Sequence, residues 1–184
     1  MKSHWIIILL VFSILGIVHA QDADTLWSNV DNGLRGRLTV ALPAKGNSPF
    51  FRVYIELQNV GNVLGQKTIN FSPEKMIFKI TSKDGGLLPP DQGLYDGIMP
   101  GWEPISLPLE GTIKFPIVCQ GLAVRPGTKA VIDLDTPRTW IIPQDGRTYY
   151  LSGSLTIPRD LSGPSQMVWY GTLHFPPAKI PNVK

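Results

Sequence analysis

A chain of 184 residues with 17 Lys and Arg against 14 Asp and Glu carries a formal charge of +3, and its basic residues are scattered, which excludes the concentrated electrostatic footprint of a nucleic-acid binder. Beyond residue 20 there remain one Cys and one His, from which no zinc site can be assembled without several carboxylates, and the usual close ligand spacings are missing. The length suits one domain together with a targeting segment, since domains commonly run to about 100–150 residues.

In chain order the targeting segment comes first. After Lys2 the run from Trp5 to Val18 holds no charge and falls short of the ~20 apolar residues of a spanning helix. "VHA" before Gln21 supplies the small-residue cleavage site of a secretory signal. The expectation is a signal peptide over 1–20 and a single domain over 21–184, exported to the periplasm or the medium, with no membrane span after cleavage. Removing Lys2 lowers Lys and Arg from 17 to 16 against 14 acids, a nearly neutral +2.

All 17 prolines, and every glycine except Gly16, follow residue 20, a density that breaks helices and punctuates short strands. Apolar residues alternate with period two, and no window holds a helical i, i+3, i+4, i+7 pattern for three turns. The "DNG" turn at 31–33 launches a strand over 34–42 that places Leu34, Leu38, Val40 and Leu42 on one face. The next, from Phe51, turns Phe51, Val53, Ile55 and Leu57 inward and ends in Asn59, Gly61 and Asn62, residues suited to a turn. Further strands are expected at 76–82, 105–109, 111–118, 129–135, 149–157 and 168–175, giving seven or eight in all. Pro108 and Pro116 confine their segments to an edge or a bulge. Strands at this spacing, with turn residues between them, favour an antiparallel β-sandwich.

The segments "SGSLTIP" (152–158) and "YGTLHFP" (170–176) echo one another. A hairpin with positions summing to 326 sets Gly153 opposite Leu173 and Leu155 opposite Gly171. It also places Tyr150, Ser152, Ser154 and Thr156 on an outer face beside Tyr170, Thr172 and His174.

Catalytic chemistry is limited by count. Beyond residue 20 there is one His, His174, and one Cys, Cys119; alternation turns Cys119 inward and His174 outward, so a Cys–His pair is not expected. Asp133 and Asp135 share a strand face and read as solvated carboxylates rather than a Ca²⁺ site, which asks for six to eight oxygens. "GLAVRPGTK" (121–129) resembles a phosphate loop but opens a strand, with no helix N-terminus to hold phosphate. The Asp-Gly pairs at 84–85, 96–97 and 145–146 read as turns. The connection 83–104 is longer than the ~12–15 residues at which loops become functional or disordered, and it is apolar. It reads as an Ω-type flap whose side chains cap one end of the sandwich, or as a partner-binding edge anchored by Tyr95 and Trp102, residue types that dominate hot spots.

The motifs "WSNVDNGLRGRL", "FRVYIELQNVGN", "YYLSGSLTIP" and "WYGTLHFPPAKIP" resemble, in that order, an uncharacterised group of secreted bacterial proteins with an immunoglobulin-like β-sandwich. The resemblance covers most of the chain after residue 20 and implies export and an accessory or interaction role. "VYIELQNVGN" is also similar to a strand of the bacterial intracellular proteinase inhibitor family, from which the export signal departs. With one Cys the chain lacks the disulfide-linked core of antibody-type domains.

These observations together predict an exported, non-catalytic binding or accessory module, without cofactor or metal, that takes a protein partner in the cell envelope. A carbohydrate-binding module is the alternative and would need Trp140, Tyr150 or Tyr170 in a flat aromatic platform. A carboxylate-dependent hydrolase, using for example Glu103 and Glu110, is the alternative from another class.

Overall fold

A computed structural model describes residues 26–43, 49–61, 67–71, 75–91, 104–117, 130–134, 138–159 and 168–182. The expected signal peptide, Cys119, Tyr95 and Trp102 all lie outside the described residues.

Among the described residues the chain is all-β, with antiparallel strand pairing and no α-helix. The strands are β1 (Leu34–Ala41), β2 (Arg52–Asn59), β3 (Lys67–Ile69), β4 (Met76–Ser82), β5 (Leu87–Leu88), β6 (Ile105–Leu107), β7 (Thr112–Ile117), β8 (Val131–Leu134), β9 (Arg138–Ile141), β10 (Tyr149–Ile157) and β11 (Gly171–Lys179). They form sheets in the orders β1-β2-β7 and β11-β10-β4-β5, and two-stranded sheets β3-β6 and β8-β9. Each of the eight segments expected from alternation contains a strand, with β11 starting at Gly171 rather than at residue 168. β3, β5 and β9, two to four residues long, are additional, and such short pieces carry too little alternation to stand out.

The inward residues of the larger sheets enter one core. Leu34, Leu38, Val53, Ile55, Leu57, Phe78, Ile80, Leu151, Leu155, Leu173 and Phe175 are all buried in it. Leu42, expected on the same face as Leu38, is 52% exposed because β1 ends at Ala41. β1 lies against β11, and Gly36 makes the approach possible: a Cβ there would come within 2.5 Å of Phe175 Cε1. Pro116 sits on β7, at the edge of its sheet, where a missing donor is tolerated. β6 stops before Pro108.

The "DNG" turn anchors the last strand. Asn32 (φ 46°) and Gly33 (φ 74°) form the two-residue, positive-φ loop of a tight hairpin. Asp31 and Leu34 exchange backbone hydrogen bonds of 2.9 Å across it. Asp31 Oδ2 then accepts from Thr172 N at 2.7 Å, its carbonyl accepts from Trp169 Nε1 at 2.9 Å, and Asn32 Nδ2 donates to the Tyr170 carbonyl at 2.8 Å. Gly171, at φ 145°, has no side chain to strike the Asp31 carboxylate. This contact joins the two tryptophan-containing motifs, "WSNVDNG" and "WYGT", across 138 residues.

The β10–β11 hairpin forms, with a register two residues from the expected one. Gly153 faces Phe175, Leu155 faces Leu173 and Ile157 faces Gly171. Two facts account for the shift. The space at Gly153 is taken from the other side, by Phe78 Cδ1 of β4, which a Cβ would meet at 2.7 Å. Gly171 is held at the strand start by Asp31 and its neighbours. A slip of two keeps every side chain on its expected face. β11 also continues beyond Phe175 to Lys179. Pro176 and Pro177 donate nothing, and the ladder bulges there: β11 takes three steps from Phe175 to Ala178 while β10 takes two from Gly153 to Leu151.

Candidate binding site on the outer face of the four-stranded sheet

Three strands bring polar side chains together on the outer face of β11-β10-β4-β5. The register sets Ile77 opposite Ser154 and Ser154 opposite His174, and in the next row sets Lys79 opposite Ser152. Cross-strand neighbours on one face have Cβ atoms about 5 Å apart, so these residues form a contiguous patch. The patch is a depression of about 420 Å³ lined also by Thr81, Gly153, Phe175 and Pro177. The proline bulge forms part of its wall. Ser152 is only 7% exposed although its side chain faces outward, which places it at the bottom.

Among the described residues, the side chains of Lys79, Thr81, Ser152, Ser154 and His174 have no hydrogen bond or ion pair. None of the four strands contains Asp or Glu. Nearby acids sit in turns at the sheet's end. The backbone N–H of Arg147 holds the Asp145 carboxyl below the usual range, against the opposing effect of desolvation, and the Arg147 guanidinium and Tyr149 hydroxyl add to the lowering. Arg147 Nε donates to Asp145 Oδ2 at 2.7 Å and Tyr149 Oη donates to it at 3.0 Å. A hydrogen bond from Ser82 lowers Asp84 in the same way. Burial pushes the Tyr149 phenol up.

The other candidate residues separate clearly. Trp140 is 1% exposed and cannot join a surface platform. Tyr150 and Tyr170 lie at opposite ends of the hairpin, about 25 Å apart at 3.3 Å per residue, too far to form one aromatic row. Tyr170 instead packs with the Arg159 guanidinium, 5.2 Å from its ring centroid. Asp133, expected on a solvated face, is buried, and its Oδ1 accepts from Thr139 Oγ1 at 3.1 Å. The cause is that all four residues of β8 are buried on both faces. Glu110 occupies a left-handed turn position (φ 61°) where its N–H donates to the Asn59 carbonyl. Glu103, Tyr95, Trp102 and Cys119 lie outside the described residues. Among the described residues no three His, Cys, Asp or Glu side chains gather to hold a metal ion. No described helix is long and apolar enough to cross a membrane.

Alternation placed Ser152, Ser154 and His174 on this face. Lys79 was not singled out, because its place beside them depends on β4 pairing with β10 across some seventy residues of chain. Comparison with family models, with curated proteins and with solved structures finds no significant match to this chain.

Proposed function

We propose that the chain is an exported, non-catalytic interaction module with an immunoglobulin-like sandwich fold, and that the outer face of β11-β10-β4-β5 is a contact surface for a protein partner of the cell envelope. The observation carrying this is the groove itself: Lys79, Ser152, Ser154 and His174 converge there without internal partners. Lys79 and His174 are exposed and Ser152 lies low between them, so one ligand can meet all of these groups at once. The sandwich reading is supported by the shared core between the two larger sheets, and the export reading by the sequence of residues 1–20. Tyr95 and Trp102 are proposed, on sequence grounds, as further anchors of the same interaction.

The test compares capture from native envelope extract by the protein and by Ser154→Arg, which fills the groove from an outward-facing position. Loss of one specific partner at unchanged melting temperature is expected. Equal capture by both proteins refutes the surface. N-terminal sequencing of protein from its native envelope checks export: Gln21 is expected first, and retained Met1 contradicts cleavage.

A further inference from the structure

We propose that the groove receives carboxylate side chains, presented between apolar residues by the partner protein; this rests on the interaction-module reading above. Four observations carry it. The four strands of the sheet hold no Asp or Glu, while Lys79 and His174 face the groove. Charge complementarity therefore calls for an anionic occupant, which also steers association. At the bottom, Ser152 is 7% exposed as a residue, and its outward-facing hydroxyl has no partner among the described residues, so it can donate to an occupant. Ser154, Thr81 and the His174 ring offer further donors around it, and a carboxylate with four lone-pair directions can accept several of them at once.

The rim decides between sources of the carboxylate. Ile77 is 64% exposed, and Leu87, opposite Thr81 on the same face, is 66% exposed. An apolar rim around a cationic, hydroxyl-lined centre matches the mixed apolar and polar anatomy of a protein interface. An acidic glycan would draw on stacking, and the face lacks a coplanar aromatic row among the described residues. Strand addition is also inapplicable, because the groove crosses the middle of the sheet, where backbone groups are already paired. Recognition here is by side chains.

The chain's other large sheet shows how such a carboxylate can be held. On β1-β2-β7, Glu56 accepts from Arg37 Nε at 2.9 Å and Nη2 at 2.8 Å. The strand facing Lys79 offers Ser152 in place of an acid, and the partner provides the missing group.

Three probes test this with the full chain: a synthetic peptide alternating Leu and Glu, its Leu and Gln counterpart, and polygalacturonate. Calorimetry gives affinity, and amide chemical shifts locate the site. The Glu peptide is expected to shift Ser152, Ser154 and His174, and to bind at least about tenfold more tightly than the Gln peptide, the scale of a charge-assisted hydrogen bond. Lys79→Ala should abolish that preference, and Lys79→Arg should keep it. Equal binding of the two peptides, or binding of polygalacturonate but neither peptide, overturns the proposal, as does failure of both peptides to bind. Should Ser154→Arg abolish partner capture while Lys79→Ala does not, the surface stands and the carboxylate is wrong. Should neither variant change capture, the surface itself is wrong.

Discussion

On the outer face of β1-β2-β7, Arg35 donates to Gln58 Oε1 at 2.8 Å, Arg37 is paired with Glu56, and Lys114 lies 5.1 Å from the Tyr54 ring centroid. Trp27 covers both arginines, with their guanidinium carbons 4.7 and 4.6 Å from its ring. The outer face of β11-β10-β4-β5 has the same geometry and the opposite outcome. Its central strand carries Ser152, Ser154 and Thr156 where β2 carries Tyr54, Glu56 and Gln58. Apart from the Thr156–Thr172 hydroxyl pair at 3.2 Å, the hydroxyls there have no side-chain partner among the described residues. Both faces rest on one core, so burial beneath them cannot account for the difference. Short hydroxyl side chains on a central strand cannot reach across to neutralise a cation, and the face is left with capacity to bind.

Several substitutions can break this comparison, and the largest effect belongs to the layer beneath the open face. A Cβ at Gly153 would meet Phe78 Cδ1 at 2.7 Å and the Ile77 carbonyl at 2.8 Å. Gly153→Ala should therefore cost about 1–3 kcal/mol, the scale of overpacking, read as a lower denaturant midpoint. Gly36→Ala, which meets Phe175 and Leu57 Cδ2, should cost a similar amount under the closed face. An unchanged midpoint for both would mean that neither glycine makes the close approach described, within β4–β10 at Gly153 or between β1 and β11 at Gly36.

Much of this support was legible in the chain. Alternation placed the inward residues of β1 and β2, Leu42 excepted, and the outward ones of β10, because period two is a local property. It could not supply the hairpin register, which depends on Phe78 filling the space at Gly153 and on Asp31 holding the start of β11. Asp133 was misplaced for a related reason: β8 is covered on both faces, and "VIDL" alternates too briefly to reveal it. The groove was half legible. Its β10 and β11 residues follow from parity, whereas Lys79 joins through long-range pairing that no local pattern encodes.

The second effect in size sharpens the closed side. Glu56→Gln removes the Glu56 charge from beside Arg37, 25% exposed, beneath Trp27. A loss of about 1–2 kcal/mol is expected, between the values for exposed pairs and for hydrogen bonds to charged groups. The midpoint in urea with and without added salt measures it. Because part of the pair's energy is screened, the wild type should lose stability in salt more than Glu56→Gln does. Equal salt dependence would show that this face is not held by charge.

Smaller still is the contribution of the turn that caps the sheet. The folded-state pKa of Asp145 lies below its ordinary value, so its contribution is fully present above the unfolded value, about 3.9, and is lost as pH falls through the folded one. Asp145→Asn should lower stability slightly near neutrality, where the contribution is present, and converge with wild type in acid, which flattens the acid limb of a stability profile. Tyr149, raised by burial, has the opposite sign: its contribution is complete below about pH 10 and fades as pH rises through the folded value. An acid limb identical in wild type and Asp145→Asn would detach this cluster from stability.

The smallest expected effect on stability is the most informative for function. Lys79 and Ser152 have no partner among the described residues, so removing them breaks no internal bond. Lys79→Ala should stay within about 0.5 kcal/mol of wild type, as surface substitutions away from structural features do. Ser152→Ala should be near neutral, since it removes a hydroxyl that makes no internal hydrogen bond. Both should nevertheless weaken capture of the partner. A structural role for the groove predicts the reverse, a falling denaturant midpoint with capture preserved in the folded fraction. Measured on the same two variants, midpoint and capture thus separate a surface kept open for a ligand from one that is merely polar.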